Sequence, residues 1–361
     1  MNKKLLAGLV FAALALSACG GGGGGTTTTS TSTSSTATTS TSTAQSAYAA
    51  CSMSQTSPLV AVSLTGQIGS AQFTQGGSQL VYSSYASSFQ NNALSGTLSL
   101  VADPSHPGVC MDAGSTNNSM RTAMQSNGVL GISHAIVNGV DEPVILMAQS
   151  ALVPNTTISS LAGTYVLLRY QADSTNGGQT RSSYVTTTID GTGNWSMCKN
   201  SPSCTTPTAS GTYAPVSGNN YEFAFSSAGL VRGDTFIVND GGAYILVNGE
   251  HDTGSGLVQG LHFGTPQSPW SPLTGTYVSN STDDTAALFN LGSNMLTAVP
   301  SGKSVAINAD NPVQGLASAT AADGVTIDYL LASPGGLWVD ASNTNNNFTS
   351  GPGYFAFGIT H

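Results

Sequence analysis

The chain is short of charge. Asp, Glu, Lys and Arg make up 7 % of its 361 residues, against about 25 % in an ordinary globular protein. Basic residues are the scarcest, with 8 Lys and Arg against 17 Asp and Glu. Lys3 and Lys4 stand at the start, and Arg121, Arg169, Arg181, Lys199, Arg232 and Lys303 are scattered singly. A phosphate backbone is held by a clustered basic surface, so this distribution argues against nucleic acid as a partner. The acidic excess reads as a solubility feature. Beyond residue 16 no apolar run reaches the length of a transmembrane helix. Catalytic signatures are lacking too: there is no Gly-x-Ser-x-Gly elbow and no His-Glu-x-x-His. No Cys-x-x-Cys pair with a nearby histidine calls for zinc, and no cofactor is expected.

What is present begins with a leader. Met1-Asn2-Lys3-Lys4 is a positive head, and Leu5 to Leu16 is an apolar run too short to span a bilayer. Leu16-Ser17-Ala18-Cys19 follows. This resembles the lipobox of bacterial lipoproteins, in which the signal peptide, here residues 1–18, is removed before the cysteine. The resemblance implies acyl chains on Cys19 and a membrane partner reached through them. Each buried methylene adds ~0.8 kcal/mol, so more than one chain gives a stable anchor. In that class Gly20, standing where Asp would mark inner-membrane retention, implies the outer membrane, on its periplasmic or its surface face. The chain also resembles uncharacterised repetitive lipoproteins of Gram-negative bacteria, which implies an address and no activity.

Residues 19–47 form a tether. Gly20–Gly25 is a glycine run and Thr26–Thr43 is almost pure Thr and Ser, a composition that cannot bury apolar surface and is expected to be disordered. Its coil reach is roughly 30 Å, with an extended limit of about 90 Å. Four further cysteines, Cys51, Cys110, Cys198 and Cys204, suit disulfides in an oxidising compartment. Of the three possible pairings, a local Cys198–Cys204 bridge closing a turn-rich loop leaves Cys51 with Cys110.

From about Leu59 onward the pattern is all-β. Tyr221-Glu222-Phe223-Ala224-Phe225 alternates as a half-buried strand does, and Asn239-Asp240-Gly241-Gly242 joins two apolar runs as a tight hairpin. Roughly two dozen such strands are too many for one sandwich. Leu161-Ala-Gly-Thr-Tyr165 recurs as Leu273-Thr-Gly-Thr-Tyr277 and, more weakly, as Leu64-Thr-Gly-Gln-Ile68. Leu130-Gly131-Ile132, Phe263-Gly264-Thr265 and Phe357-Gly358-Ile359 read as matching module ends. Three tandem antiparallel modules are therefore expected, near residues 59–150, 161–266 and 273–361. Each is a small barrel or sandwich of about eight strands, with a β-propeller as the alternative. The Leu-x-Gly-x-Tyr openings resemble the first strand of up-and-down barrels of the lipocalin type.

The candidate sites are few. Asp112-Ala-Gly-Ser-Thr-Asn117-Asn118 is echoed by Asp340-Ala-Ser-Asn-Thr-Asn345-Asn346, and each phrase leads to Gly-Ile-x-His, ending at His134 and His361. Asp and Asn side chains turn corners by bonding nearby amides, so the phrase reads as one structural corner written twice. As a functional reading, Asp112, Asn117, Asn118 and His134 would form one ligand site and Asp340, Asn345, Asn346 and His361 another. Glu250 and Asp252, in what reads as an oxygen-rich hairpin loop, are weak calcium candidates; no metal site is otherwise expected. Ser196-Met-Cys-Lys199 matches a Ser-x-x-Lys pair by spacing alone. The expected function is a non-enzymatic binding or envelope-structural role, with a glycan or host-surface molecule as ligand. The alternative is an envelope hydrolase of glycans or esters. Paired carboxylates or a Ser/His/Asp cluster would favour the hydrolase, and Trp195, Trp270 and Trp338 lining a groove would favour glycan binding.

Overall fold

A computed structural model describes residues 48–85, 94–114, 120–137, 139–173, 179–201, 204–251, 258–282, 286–299, 301–320, 327–342 and 354–360. Cys19, the tether, Asn117, Asn118, Asp252, Asn345, Asn346 and His361 lie outside them. The chain forms three closed, antiparallel, eight-stranded barrels in tandem, not a propeller. The first contains β1 (Leu59–Ser63), β2 (Ile68–Thr74), β3 (Gln79–Ser84), β4 (Gly96–Ala102), β5 (Cys110–Asp112), β6 (Arg121–Met124), β7 (Leu130–Val137) and β8 (Val140–Ala148). The second contains β9 (Gly163–Asp173), β10 (Gln179–Ile189), β11 (Asn194–Lys199), β12 (Ala209–Pro215), β13 (Glu222–Ser227), β14 (Leu230–Asp240), β15 (Ala243–His251) and β16 (Val258–Pro266). The third contains β17 (Gly275–Ser281), β18 (Ala286–Leu291), β19 (Met295–Ala298), β20 (Ser304–Asn308), β21 (Ala317–Thr320), β22 (Ile327–Ala332), β23 (Leu337–Ser342) and β24 (Phe355–Thr360). Each barrel closes by pairing its last strand with its first, as Ala148 does with Leu59. Among the described residues no helix is long and apolar enough to cross a membrane.

Alternation along the strands builds two kinds of core. On β9, Tyr165 and Leu167 point into the barrel with Trp195, Phe223 and Leu246, while Val166, Leu168 and Tyr170 point outward. On β1, Leu59 and Ala61 face inward and Val60 and Val62 outward. On β24, Ala356 faces inward and Phe355, Phe357 and Ile359 outward. The outward residues of all three barrels meet in a single shared core. Strands such as β8 and β15 are thus apolar on both faces and read as unbroken hydrophobic runs. Tyr170 meets Phe355 across the second and third barrels at 5.9 Å, and Tyr85 meets Phe236 across the first and second at 5.5 Å.

Polar contacts seal the same interfaces. Asn280 of β17 accepts from the Arg121 amide at 2.6 Å and donates to the Arg121 and Ser133 carbonyls, filling the seam between β6 and β7. Asp240, at the end of β14, is bonded from the first and third barrels at once (Discussion). Both disulfides are present: Cys51–Cys110 pins the segment leading into the first barrel, and Cys198–Cys204 fastens the rim between β11 and β12.

The repeat marks do not fall on equivalent strands. Leu161–Tyr165 and Leu273–Tyr277 lead into the first strand of their barrels, whereas Leu64–Ile68 is the turn between β1 and β2. There Gly66 is left-handed (φ 76°), and a Cβ would lie 2.5 Å from the Gly260 carbonyl of the second barrel. Its glycine answers to a barrel–barrel approach instead. Leu130-Gly131-Ile132 likewise sits in the seventh strand of its barrel, while the other two Gly marks sit in the eighth.

Candidate functional site

The interior of the second barrel changes character along its length. At one end it is filled by Tyr165, Leu167, Val185, Ile189 and Ile237, and the linker residues Val153 and Leu161 close that end. Continuing along β9, the inward positions become Arg169, Gln171 and Asp173. On β11 the inward face runs Trp195, Met197, Lys199, and on β10 Val185 and Ser183 give way to Arg181. Eight-stranded barrels are just wide enough for side chains to fill or for one small ligand. Here the polar half encloses a cavity of about 170 Å³ lined by Arg169, Gln171, Arg181, Trp195, Met197, Lys199, Ala209, Phe225, Ser227, Arg232, Glu250 and His262.

The six basic residues after Lys4 are single in sequence, yet four of them, Arg169, Arg181, Lys199 and Arg232, line this one cavity. One carboxylate among the lining residues, Glu250, faces them. His262 Nε2 lies 2.9 Å from Glu250 Oε2, the Gln171 amide donates to the same oxygen, and Arg181 Nε donates to Gln171 Oε1 at 2.6 Å. Arg169 is 3 % exposed; its Nε donates to Ser183 Oγ, and its Nη2 is buried with no hydrogen-bond partner. Beneath the charges Trp195 stacks on Phe225 at 5.0 Å, and His262 meets the Phe225 ring edge-on at 6.1 Å.

The titration behaviour follows from this crowding. Burial lowers the Arg169 guanidinium to about 10, and the Arg181 charge adds to it while Glu250 opposes. Burial, then Arg169 and Arg181, bring the Lys199 ammonium down to about 8. Burial by itself would raise Glu250, but His262, Gln171 and Arg169 outweigh it and hold the carboxyl at about 2. Asp173 lies within electrostatic reach of Arg181 and opposes the lowering that burial causes there. The lumen is a partly buried cluster of positive charge inside an acidic chain, and its chemistry suits the holding of an anion.

Two larger surface grooves lack such chemistry. One, of about 660 Å³, follows the linker from Ser150 to Ser160 and has Tyr244 as its one titratable group. The other, of about 450 Å³, lies beside Trp270, Pro266 and Pro334 and has none.

The residues singled out from the sequence are dispersed. Asp112 ends β5, half-buried, and its Oδ1 accepts the Gly114 amide at 3.1 Å, a local turn. His134 lies mid-strand in β7 with Nδ1 2.7 Å from Asp141 Oδ1. Asp340 does not end its strand: it lies within β23, buried in the third barrel between inward-facing Trp338 and Ser342. The two aspartates therefore stand on a fifth strand and a seventh, and residues 115–118 and 343–346 of the two phrases lie outside the described residues. Glu250 is not in a solvated loop but on β15, pointing into the lumen, because the strand runs on to His251. No group of three or more His, Cys, Asp or Glu among the described residues could hold a metal ion. Ser196 and Lys199 lie three apart on β11 and so project to opposite faces. Trp338 is buried inside its barrel, Trp195 is buried but borders the lumen cavity, and Trp270 packs against the interior cluster of the third barrel while lining the groove of about 450 Å³.

Sequence reading missed Arg169, Gln171, Arg181, Lys199, Arg232 and His262. The signal that could have found them is period two: on β9, Tyr165, Leu167, Arg169, Gln171 and Asp173 pass from apolar to charged without leaving one face.

The third barrel holds a different charge problem. Asp340 is fully buried next to Asp328, which accepts from Ser342 Oγ. Burial first and the Asp328 charge second push the Asp340 carboxyl well above the usual carboxylate range, and the Ala341 amide draws it back by less. A carboxyl raised in the folded state contributes stability that is full below its unfolded value and lost as pH rises through its folded value. Asp340→Asn lacks that term. Calorimetry is expected to show the melting temperature of the variant gaining on the parent by a few degrees as pH rises above about 4. A difference that is flat with pH would contradict this account. The two carboxylates are 3 % and 0 % exposed, so they present no open cleft to a glycan.

No protein-family description, curated protein or solved structure matches the chain.

Proposed function

We propose that the protein is a non-enzymatic binding protein of the bacterial envelope, tethered by lipid at Cys19 to the outer membrane, and that its second barrel holds a small anion. The observation that carries the binding role is the convergence of Arg169, Arg181, Lys199 and Arg232 on one cavity, with a buried Arg169 Nη2 left without a partner. Buried donors in folded proteins are nearly always satisfied, and an anion seated beside Arg169 completes this one. The two disulfides support an oxidising compartment. Cys51–Cys110 also fastens the chain where the tether ends, so the tether acts on a firm attachment point.

Two measurements test the reading. Cys19→Ser is expected to move the protein from the membrane fraction to the soluble one and to abolish incorporation of labelled palmitate; a variant that stays in the membrane removes the anchor. Titration of the detergent-solubilised full chain with small anions is expected to show saturable one-to-one binding that weakens with salt. A cavity that binds no anion at low salt removes the binding role.

A further inference from the structure

The cavity is built in two zones. Its upper zone carries the four basic side chains, and its lower zone is walled by Trp195, Met197, Ala209 and Phe225. Arg169 sits at the boundary, two residues along β9 from Leu167 of the apolar interior. One arm of its guanidinium is committed to Ser183, and the other is buried and unbonded. Cationic donors therefore lie beside aromatic and aliphatic side chains in one cavity.

We infer that the ligand of the second barrel is a small aromatic carboxylic acid of about benzoate size, its carboxylate among Arg169, Arg181 and Lys199 and its ring against Trp195, Met197 and Phe225. This rests on the anion-binding reading above and specifies it. Size limits the ligand: about 170 Å³, packed as densely as a protein interior, holds about nine non-hydrogen atoms. That matches one ring with one carboxylate. Chemistry narrows the class further. Inorganic phosphate or sulfate would answer the cations but leave the apolar wall wet. An acidic sugar would press hydroxyls against Met197 and Phe225, which cannot bond them. A flat ring instead stacks or packs edge-on against Trp195 and Phe225, and the carboxylate takes the Arg169 donor that Ser183 leaves free.

The test uses the full chain in mild detergent, calorimetry, and the probes benzoate, phenylacetate, acetate, benzyl alcohol, glucuronate, phosphate and sulfate at low salt. The expected result is one-to-one binding of benzoate or phenylacetate, at least about tenfold tighter than acetate and than benzyl alcohol, so that ring and charge are both required. Binding of phosphate, sulfate or glucuronate without benzoate or phenylacetate overturns the aromatic assignment and leaves the anion site standing. Binding of none of the charged probes overturns both. Trp195→Leu, checked for folding by circular dichroism, is expected to cut the preference for benzoate over acetate at least about fivefold. An unchanged preference overturns the placement of the ring.

Discussion

Arg169→Met is expected to abolish anion binding while leaving the protein as stable as before or more so. The guanidinium is buried on the inner face of β9 and crowded by Arg181, and burial already lowers it to about 10. Replacing buried charges with apolar side chains of similar volume is often neutral or stabilising by about 1–4 kcal/mol when no opposite charge is left unpaired. Here the four cations outnumber Glu250 and Asp173, so the substitution relieves repulsion on Lys199 as well as desolvation. Glu250 loses one favourable neighbour but keeps His262 and Gln171. Ser183 keeps its hydroxyl on the barrel interior and loses one donor, a cost of about 1 kcal/mol. Binding, by contrast, loses the deepest cation and a buried charged donor that stands unpaired, about 2–5 kcal/mol for a desolvated charge contact. Opposite signs in urea unfolding and in calorimetric binding are the expected signature. A variant that binds as before, or that loses several kcal/mol of stability, would make Arg169 a structural residue.

The second large effect lies far from the lumen. Asp240→Ala is expected to cost about 3–5 kcal/mol of unfolding free energy, read by denaturant titration. Asp240 is fully buried at the end of β14. Its Oδ2 accepts from Ser333 Oγ at 2.5 Å, the Gly335 amide at 3.0 Å and Gln125 Nε2 at 3.3 Å, and its Oδ1 accepts from Asn127 Nδ2 at 3.2 Å. Gln125 and Asn127 come from the turn between β6 and β7, and Ser333 and Gly335 from the turn between β22 and β23. One carboxylate thus joins all three barrels. Gly335 is a glycine because a Cβ there would lie 1.9 Å from Asp240 Oδ1. Truncation strands donors from two barrels at once around a buried position, whereas Asp240→Asn keeps one acceptor and is expected to cost less than half as much. The transition should remain single, since the shared apolar core still couples the barrels. A loss below about 1 kcal/mol would show that the node is dispensable.

Local chemistry was legible where it is local. Asn239-Asp240-Gly241-Gly242 reads as a hairpin, and Gly241 and Gly242 supply the two left-handed residues (φ 63° and 88°) that a two-residue turn requires. The alternation at Tyr221–Phe225 yields β13, and the spacing of Cys198 and Cys204 yields a bridge. The twin phrases were misleading for a physical reason. Asp near the end of an apolar run reads as a turn, but the run at Leu337 continues two residues past Asp340 and carries its carboxylate inward.

By itself the sequence determined the all-β class, the threefold division and the local turns, because period-two alternation and turn chemistry act between neighbours in the chain. It also carried, in the run ending at Cys19, the expectation of an anchor, which rests on resemblance. Only the tertiary structure decided which face of each strand turns inward, since both faces of β8, β9 and β15 are buried and their pattern cannot separate lumen from inter-barrel core. It alone brought Arg169, Arg181, Lys199 and Arg232 together from four strands. Barrel closure decides that meeting: residues from 169 to 232 share one rim only after β9 pairs with β16.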